Sequence, residues 1–253
     1  MAGEGLLEVR DLTLRFGGIT ALGGVGLTIA EGETVGVIGP NGSGKTSLFN
    51  CVTGLYHPTS GSIRFRGESL LGLSPDRVTA RGVARTFQNL RLFLNMTVLD
   101  NLMLGRHLHF RRSLWAAALR LRGEEVRHRE RCEEIIEFLD LEAWRDARVA
   151  SCAYGVQKRI ELGRALATEP KLLLLDEPVS GLTAEEKDEV SYWIHEVRGR
   201  FGVTVLLVEH DLRVASRLAS RMVVLDHGEK LTEGTPEEVQ RHPGVIRAYL
   251  GDQ

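Results

Sequence analysis

The chain has 253 residues, 43% hydrophobic and 26% charged, enough for one large core or two coupled subdomains. Its net charge of −2 gives no bulk pull toward nucleic acid, and no uninterrupted apolar stretch reaches membrane-spanning length. Cys51, Cys132 and Cys152 have neither metal-type spacing nor an even-numbered framework, so reduced thiols of a cytosolic protein are expected, and residues 1–5 lack the basic-then-apolar order of a secretory signal.

Residues 7–16 and 24–29 alternate apolar and polar, which predicts antiparallel strands with turns at Gly17-Gly18 and Glu31-Gly32. The run Thr34-Val35-Gly36-Val37-Ile38 reads as a buried strand. It leads into Gly39-Pro40-Asn41-Gly42-Ser43-Gly44-Lys45-Thr46, which fits G-x-x-x-x-G-K-[ST], and the following Ser47-Leu48-Phe49-Asn50-Cys51-Val52 can open a helix. Residues 62–67 suggest another strand. From about 89 to 158 the pattern turns helical, which predicts an inserted helical subdomain. Within it, Arg106, Arg111, Arg112, Arg120, Arg122, Arg127, Arg129 and Arg131 make a basic run around Phe110 and Trp115, and residues 113–119 could form an amphipathic turn. A solvated helical hairpin is the expected form of this run, ahead of contact with anionic lipid or a membrane subunit.

A helical pattern then runs through Ile160, Leu162, Ala165 and Leu166. Lys171-Leu172-Leu173-Leu174-Leu175-Asp176-Glu177 reads as a central parallel strand, buried on both faces and closed by two carboxylates. Residues 203–208 form a further apolar strand pattern, followed by His210. The C-terminal part returns to alternation of strand and helix, with one phosphate loop in the chain and no internal repeat.

Glycines in residues 39–44 let successive backbone N–H groups turn inward as an anion-binding nest, and the helix N-terminus adds its dipole. Lys45 brings a full positive charge to the β/γ-phosphates, and the Thr46 hydroxyl can ligate Mg²⁺. The loop predicts binding of ATP or GTP without choosing among kinase, GTPase and ATPase. The carboxylates make that choice: Asp176 is placed to hold the Mg²⁺ water shell, and Glu177, one residue on, to polarise an attacking water.

Around residue 154 the chain resembles the ATP-binding-cassette (ABC) ATPases. Cys152-Ala153-Tyr154-Gly155-Val156 stands where that family has its signature, usually Leu-Ser-Gly-Gly-Gln. Only Gly155 keeps the consensus within those five positions; Gln157, Arg159 and Arg164-Ala165-Leu166 fit the segment that follows. The resemblance runs in order over nearly the whole chain. Gln88, in Arg85-Thr86-Phe87-Gln88-Asn89, matches the Q-loop glutamine; Ser180-Gly181-Leu182-Thr183 matches the D-loop, with Thr183 in place of Asp. His210 matches the switch histidine and Phe16 the aromatic that stacks on adenine.

The resemblance implies an α/β P-loop NTPase (RecA-like) core with an N-terminal antiparallel β subdomain. Core and β subdomain would take residues 1–88 and 160–253, and the helical subdomain with its basic insertion 89–159. It implies nucleotide contacts from Phe16, Gly39, Pro40, Asn41, Gly42, Ser43, Gly44, Lys45, Thr46, Ser47 and Gln88, and from Ala153, Tyr154 and Gly155 toward a facing cassette's ATP. Mg²⁺ would meet Thr46, Gln88 and Asp176, and catalysis would fall to Lys45, Glu177 and His210. The implied partners are a second ABC ATPase chain, transmembrane permease subunits and, indirectly, an extracytoplasmic solute-binding protein, with no nucleic acid. The implied place is the cytoplasmic face of the cell membrane, with the membrane path supplied by other chains.

Tyr154 in the third signature position, Phe16-Gly17-Gly18-Ile19-Thr20-Ala21, Met96-Thr97-Val98-Leu99-Asp100-Asn101-Leu102 and Val245-Ile246-Arg247-Ala248-Tyr249-Leu250-Gly251 look like the larger ATPase subunit of branched-chain amino-acid importers. Urea and amide importers and the lipopolysaccharide-export ATPase use similar subunits. A soluble ABC-type assembly ATPase is the alternative of another class.

Overall fold

The structure is a computed structural model that describes residues 5–110 and 122–250. The early alternation yields the pairing that period two dictates. β1 (Leu7–Phe16) and β2 (Ile19–Ile29) are antiparallel, with Leu7 opposite Ile29 and Phe16 opposite Ile19 across the Gly17-Gly18 turn. β3 (Thr34–Ile38) then leaves for a second sheet. β4 (Ser60–Phe65) and β5 (Glu68–Ser69) complete the first, in the order β2-β1-β4-β5. The strand expected over 62–67 ends at Phe65 because Arg66 (φ 51°) and Gly67 (φ 77°) make the turn into β5.

The second sheet adds β6 (Val83–Arg85), β7 (Leu172–Asp176), β8 (Thr204–Glu209), β9 (Arg221–Asp226) and β10 (Glu229–Gly234). Its order is β10-β9-β3-β8-β7-β6, parallel except at the β10 edge. Every residue of β3, β7 and β8 is buried, because both faces are covered. Leu172, Leu174, Leu206 and Val208 enter a core shared with the first sheet and α1 (Lys45–Val52). Leu173, Leu175, Val205 and Leu207 enter the opposite core, beneath the helices. Each fully buried leucine contributes roughly 1.5–3 kcal/mol relative to exposure.

The helices are α2 (Pro75–Ala80), α3 (Val98–Gly105), α4 (Arg122–Phe138), α5 (Tyr154–Leu166), α6 (Ala184–Phe201), α7 (Leu212–Leu218), α8 (Pro236–Arg241) and α9 (Pro243–Leu250). α3, α4 and α5 meet at Gly163, where a Cβ would lie 3.0 Å from Leu139, 3.3 Å from Ile135 and 3.5 Å from Leu102. α5 runs through residues 159 and 160, joining the expected helical segment to the core.

The amphipathic turn expected over 113–119 lies outside the described residues. Arg106 departs from the solvated form expected of the basic run. It is buried, donates from Nη1 to Ala167 O at 2.8 Å, and pairs with Glu169 at 3.0 Å. Its Nε donates to His128 Nδ1 at 3.2 Å. Buried guanidinium must be satisfied, and here it ties α4 to the end of α5.

Candidate active site

β3 delivers the chain into residues 39–44 with no room for side chains at two glycines. A Cβ on Gly39 would collide with the Leu225 carbonyl, and one on Gly44 (φ 101°) would lie 2.7 Å from Ala21 O. Gly228 N donates to Ser43 O at 3.1 Å, and Gly23 N donates to Gly228 O at 2.8 Å. The loop thus rests against the β9–β10 turn, which in turn bonds β2, and both crowd Gly44.

α1 starts directly at Lys45, with Gly44 as its left-handed cap. Lys45 Nζ is folded onto the loop, donating to Gly39 O at 2.7 Å and Pro40 O at 2.8 Å. Burial lowers its pKa, against the opposing pull of Glu177, Asp176 and Glu209. Asn41, Gly42 and Thr46 are exposed, Pro40 and Ser47 half-buried, and Ser43 is buried with its hydroxyl unpaired.

The two carboxylates stand at the carboxyl edge of the parallel sheet, where open α/β sheets present their ligand groups. Asp176 ends β7, and Glu177 follows with φ 47°, a left-handed conformation uncommon for a residue with a side chain. Glu177 N donates to Val208 O at 3.0 Å, which fixes that turn. Glu177 Oε2 accepts from Gln88 Nε2 at 2.9 Å and lies 3.5 Å from His210 Nδ1. Gln88, Glu177 and His210, distant in sequence, therefore form one line at the sheet edge. Asp176 Oδ2 accepts from Arg85 Nη2 at 2.7 Å.

The other sequence-derived candidates stand outside that line. Phe16, half exposed at the end of β1, packs edge-on against Tyr56 with ring centroids 5.2 Å apart. Ala153 is the exposed N-cap residue of α5, and Tyr154 is exposed, its ring 3.4 Å from the Cβ position of Gly181. Gly155 is buried, and a Cβ there would lie 2.5 Å from Glu186 Oε1. Glu186 belongs to the capping box that Thr183 makes at the start of α6, so Gly155 lies against the first turn of that helix in its own chain.

Sequence reasoning gave no role to several residues at the site. Glu209, which closes the otherwise apolar β8, is 1% exposed with Oε1 unpaired; burial and the nearby Glu177 push its pKa up to about 7. Lys158 and Glu161 are both buried on α5. Lys158 donates to Gln88 O at 3.3 Å, while Glu161 accepts from Phe87 N and Arg91 N at 3.4 Å each, so the pair holds the Gln88 loop to the helix. Charges three apart on an apolar helix face were the available signal. Tyr249, whose phenol burial pushes up to about 12, approaches the Gly39 amide from α9.

A parallel sheet presenting a phosphate loop, paired carboxylates, a glutamine and a histidine along one edge defines a nucleotide-hydrolysing cassette. The ABC transporter family matches residues 22–180, and the chain belongs to that family; it is an ABC ATPase that binds and hydrolyses ATP. Residues 229–253 match a second family, the branched-chain amino acid ATP-binding cassette transporter. Over 250 residues the chain is 41% identical to the high-affinity branched-chain amino acid transport ATP-binding protein BraF of Pseudomonas aeruginosa, covering 98% of both chains. It is 40% identical to LivG of Escherichia coli K12, named for the same transport, again over 98% of both. The crystal structure of the ADP conformation of an ATP-binding cassette of an ABC transporter superposes with TM-score 0.86 at 29% identity, over 98% of this chain and 99% of that one. A dimeric bacterial ABC transporter cassette gives 0.77 at 28% identity, over 91% and 98%.

Proposed function

We propose that this chain powers a membrane importer of branched-chain amino acids, as one half of a cassette dimer docked on permease subunits at the cytoplasmic face. The observation that carries the hydrolytic step is the placement of Glu177, in left-handed backbone at the end of β7, within reach of Gln88 and His210. The substrate reading rests on the full-length likeness to BraF and LivG and on the match at residues 229–253.

The residues present suit a magnesium ion. Thr46 is exposed with no hydrogen bond from its hydroxyl to a described residue, Gln88 is exposed, and Asp176 has one oxygen outside its ion pair. These are hard oxygen donors, and such an ion keeps waters and phosphate oxygens as its remaining ligands. Thr46, Gln88 and Asp176 would hold the ion, which would supply positive charge against the phosphates. The amides of residues 39–44 hold the same phosphates, and Lys45 turns to them from the Gly39 and Pro40 carbonyls. Phe16 stacks on the base. Glu177 accepts the proton of the attacking water, and His210 steadies the γ-phosphate. Ala153, Tyr154 and Gly155 serve the nucleotide of the facing chain, whose closure excludes water.

Among the described residues no helix is long and apolar enough to cross a membrane. An apolar groove of about 420 Å³, lined by Leu55, Val78, Phe87, Phe93 and Leu104, opens beside the Gln88 loop. Phe93 on its rim is 56% exposed. We read this groove as the seat of the permease.

The deciding experiment is Glu177→Gln. ATP affinity should stay within about twofold of the parent, while turnover falls by roughly 10²–10⁴-fold, the usual contribution of a general base. Gel filtration with Mg²⁺-ATP should show a trapped dimer. Undiminished turnover would remove Glu177 from its role. In reconstituted vesicles, leucine, isoleucine or valine should stimulate hydrolysis through the complex, and calorimetry should find no amino-acid binding to the isolated chain. Stimulation by urea or amides instead would reassign the substrate.

A further inference from the structure

Arg85 ends β6, paired to β7 with Arg85 opposite Leu174. Its side chain is only 6% exposed, and the partner carboxylate of Asp176 is equally buried. One arm of the guanidinium donates to Asp176 Oδ2 at 2.7 Å; the other donates to Asn50 Oδ1 at 2.7 Å. Its carbon centre lies 5.0 Å from the Phe87 ring and 5.5 Å from the Phe49 ring. Its partners thus come from the helix after the phosphate loop, from the end of the strand that leads into Glu177, and from the loop that carries Gln88. Arg85 also lines the apolar groove.

Folding alone does not call for this arrangement. A buried ion pair generally stabilises a protein no better than apolar side chains of similar volume. A planar fork does something those cannot: it holds two partners at once, one arm fixed on Asn50 while the other holds Asp176 Oδ2. With Oδ2 pinned, Asp176 keeps Oδ1 for a cation shell in one orientation.

We propose that Arg85, itself held by Asn50 and by the Phe49 and Phe87 rings, is a positioning residue for ATP hydrolysis that clamps Asp176 Oδ2 so that its free oxygen is preset for the nucleotide-bound cation. The proposal rests on the reading of Asp176 as the residue that meets that cation. It also makes one side chain the whole distance between the permease groove and that aspartate.

The test measures ADP affinity of the full chain by calorimetry across a Mg²⁺ series and in excess chelator. Arg85→Lys keeps the charge and loses the fork. Its chelator-state affinity should stay within about twofold, while the Mg²⁺ concentration that half-saturates the tightening rises roughly tenfold, the loss of one charge-assisted hydrogen bond. Asn50→Ala, which leaves the ion pair and removes its second anchor, should move the midpoint the same way by roughly threefold, and it serves where Arg85→Lys does not fold. Asp176→Asn should abolish the Mg²⁺ response, and adding Arg85→Lys to it should change nothing further. An unchanged midpoint in folded Arg85→Lys and Asn50→Ala, with Asp176→Asn still losing the response, overturns the clamp alone. An intact response in Asp176→Asn overturns the reading of Asp176 and the clamp together.

Discussion

Lys45 sits where a single charge has two sets of partners to choose from, the Gly39 and Pro40 carbonyls or a phosphate. Replacing it by alanine removes a charged hydrogen-bond donor, and calorimetry should show ATP affinity falling roughly 10- to 100-fold with the fold intact. Glu209 gives a pH signature. Its pKa is raised from 4.5 to about 7 by burial and by Glu177, so the folded chain holds a proton the unfolded chain has released. That stabilisation is full below pH 4.5 and is lost as pH rises through 7, in total about 3 kcal/mol. Glu209→Gln should therefore flatten the fall in urea-unfolding free energy between pH 5 and pH 8; equal slopes in both proteins would clear Glu209 of it. Gly155 carries a different lesson. Gly155→Asp sets a second carboxylate against Glu186 in the same chain, so turnover in the assembled complex should vanish and the melting temperature fall as well. Ala153→Ser, at an exposed cap position, should leave turnover similar or modestly raised.

At the scale of elements, three helices begin with the same reciprocal cap: Thr97 with Asp100, Thr183 with Glu186, and Thr235 with Glu238. Thr183→Ala should lower stability by about 1 kcal/mol, read as a shift in the denaturation midpoint. It should also lower turnover more than Thr235→Ala does, because Glu186 braces Gly155 while Glu238 does not. Such local devices explain what the sequence disclosed and what it withheld. β1, β3, β7 and β8 were legible because alternation or an unbroken apolar run writes a strand directly into neighbouring residues. The phosphate loop and the Asp176-Glu177 pair were legible for the same reason, since their chemistry is contiguous. β6, with three residues, and β5, with two, are too short for any period to show, and pairing alone makes them strands. The Arg85–Asp176 contact joins positions 91 apart, Glu209 falls just past the apolar run 203–208, and Tyr249 reaches the loop from near the chain's end. Those relations arise only when the sheet order β9-β3-β8-β7-β6 is assembled.

At the scale of the whole molecule, two sheets of different construction share one core and meet beside the phosphate loop. The β9–β10 turn links them beside the phosphate loop: Gly228 bonds to Ser43 of the loop in one direction and to Gly23 of β2 in the other. Phe16 stands on the first sheet, Lys45 on the helix that follows the second. A nucleotide lying with its base on Phe16 and its phosphates on residues 39–46 would act as a removable rivet through that joint. Without it, the antiparallel sheet is fastened at the loop by short backbone links; with it, the two sheets turn as one plate. Hydrogen exchange should register the difference, with saturating ADP slowing amides along β2 as well as those of the loop and the β9–β10 turn beside it. Protection confined to residues 39–47 would mean the joint was already stiff. If the rivet holds, each round of hydrolysis loosens and retightens the whole cassette, and the stroke delivered to the membrane begins as a change in stiffness before it becomes a change in shape.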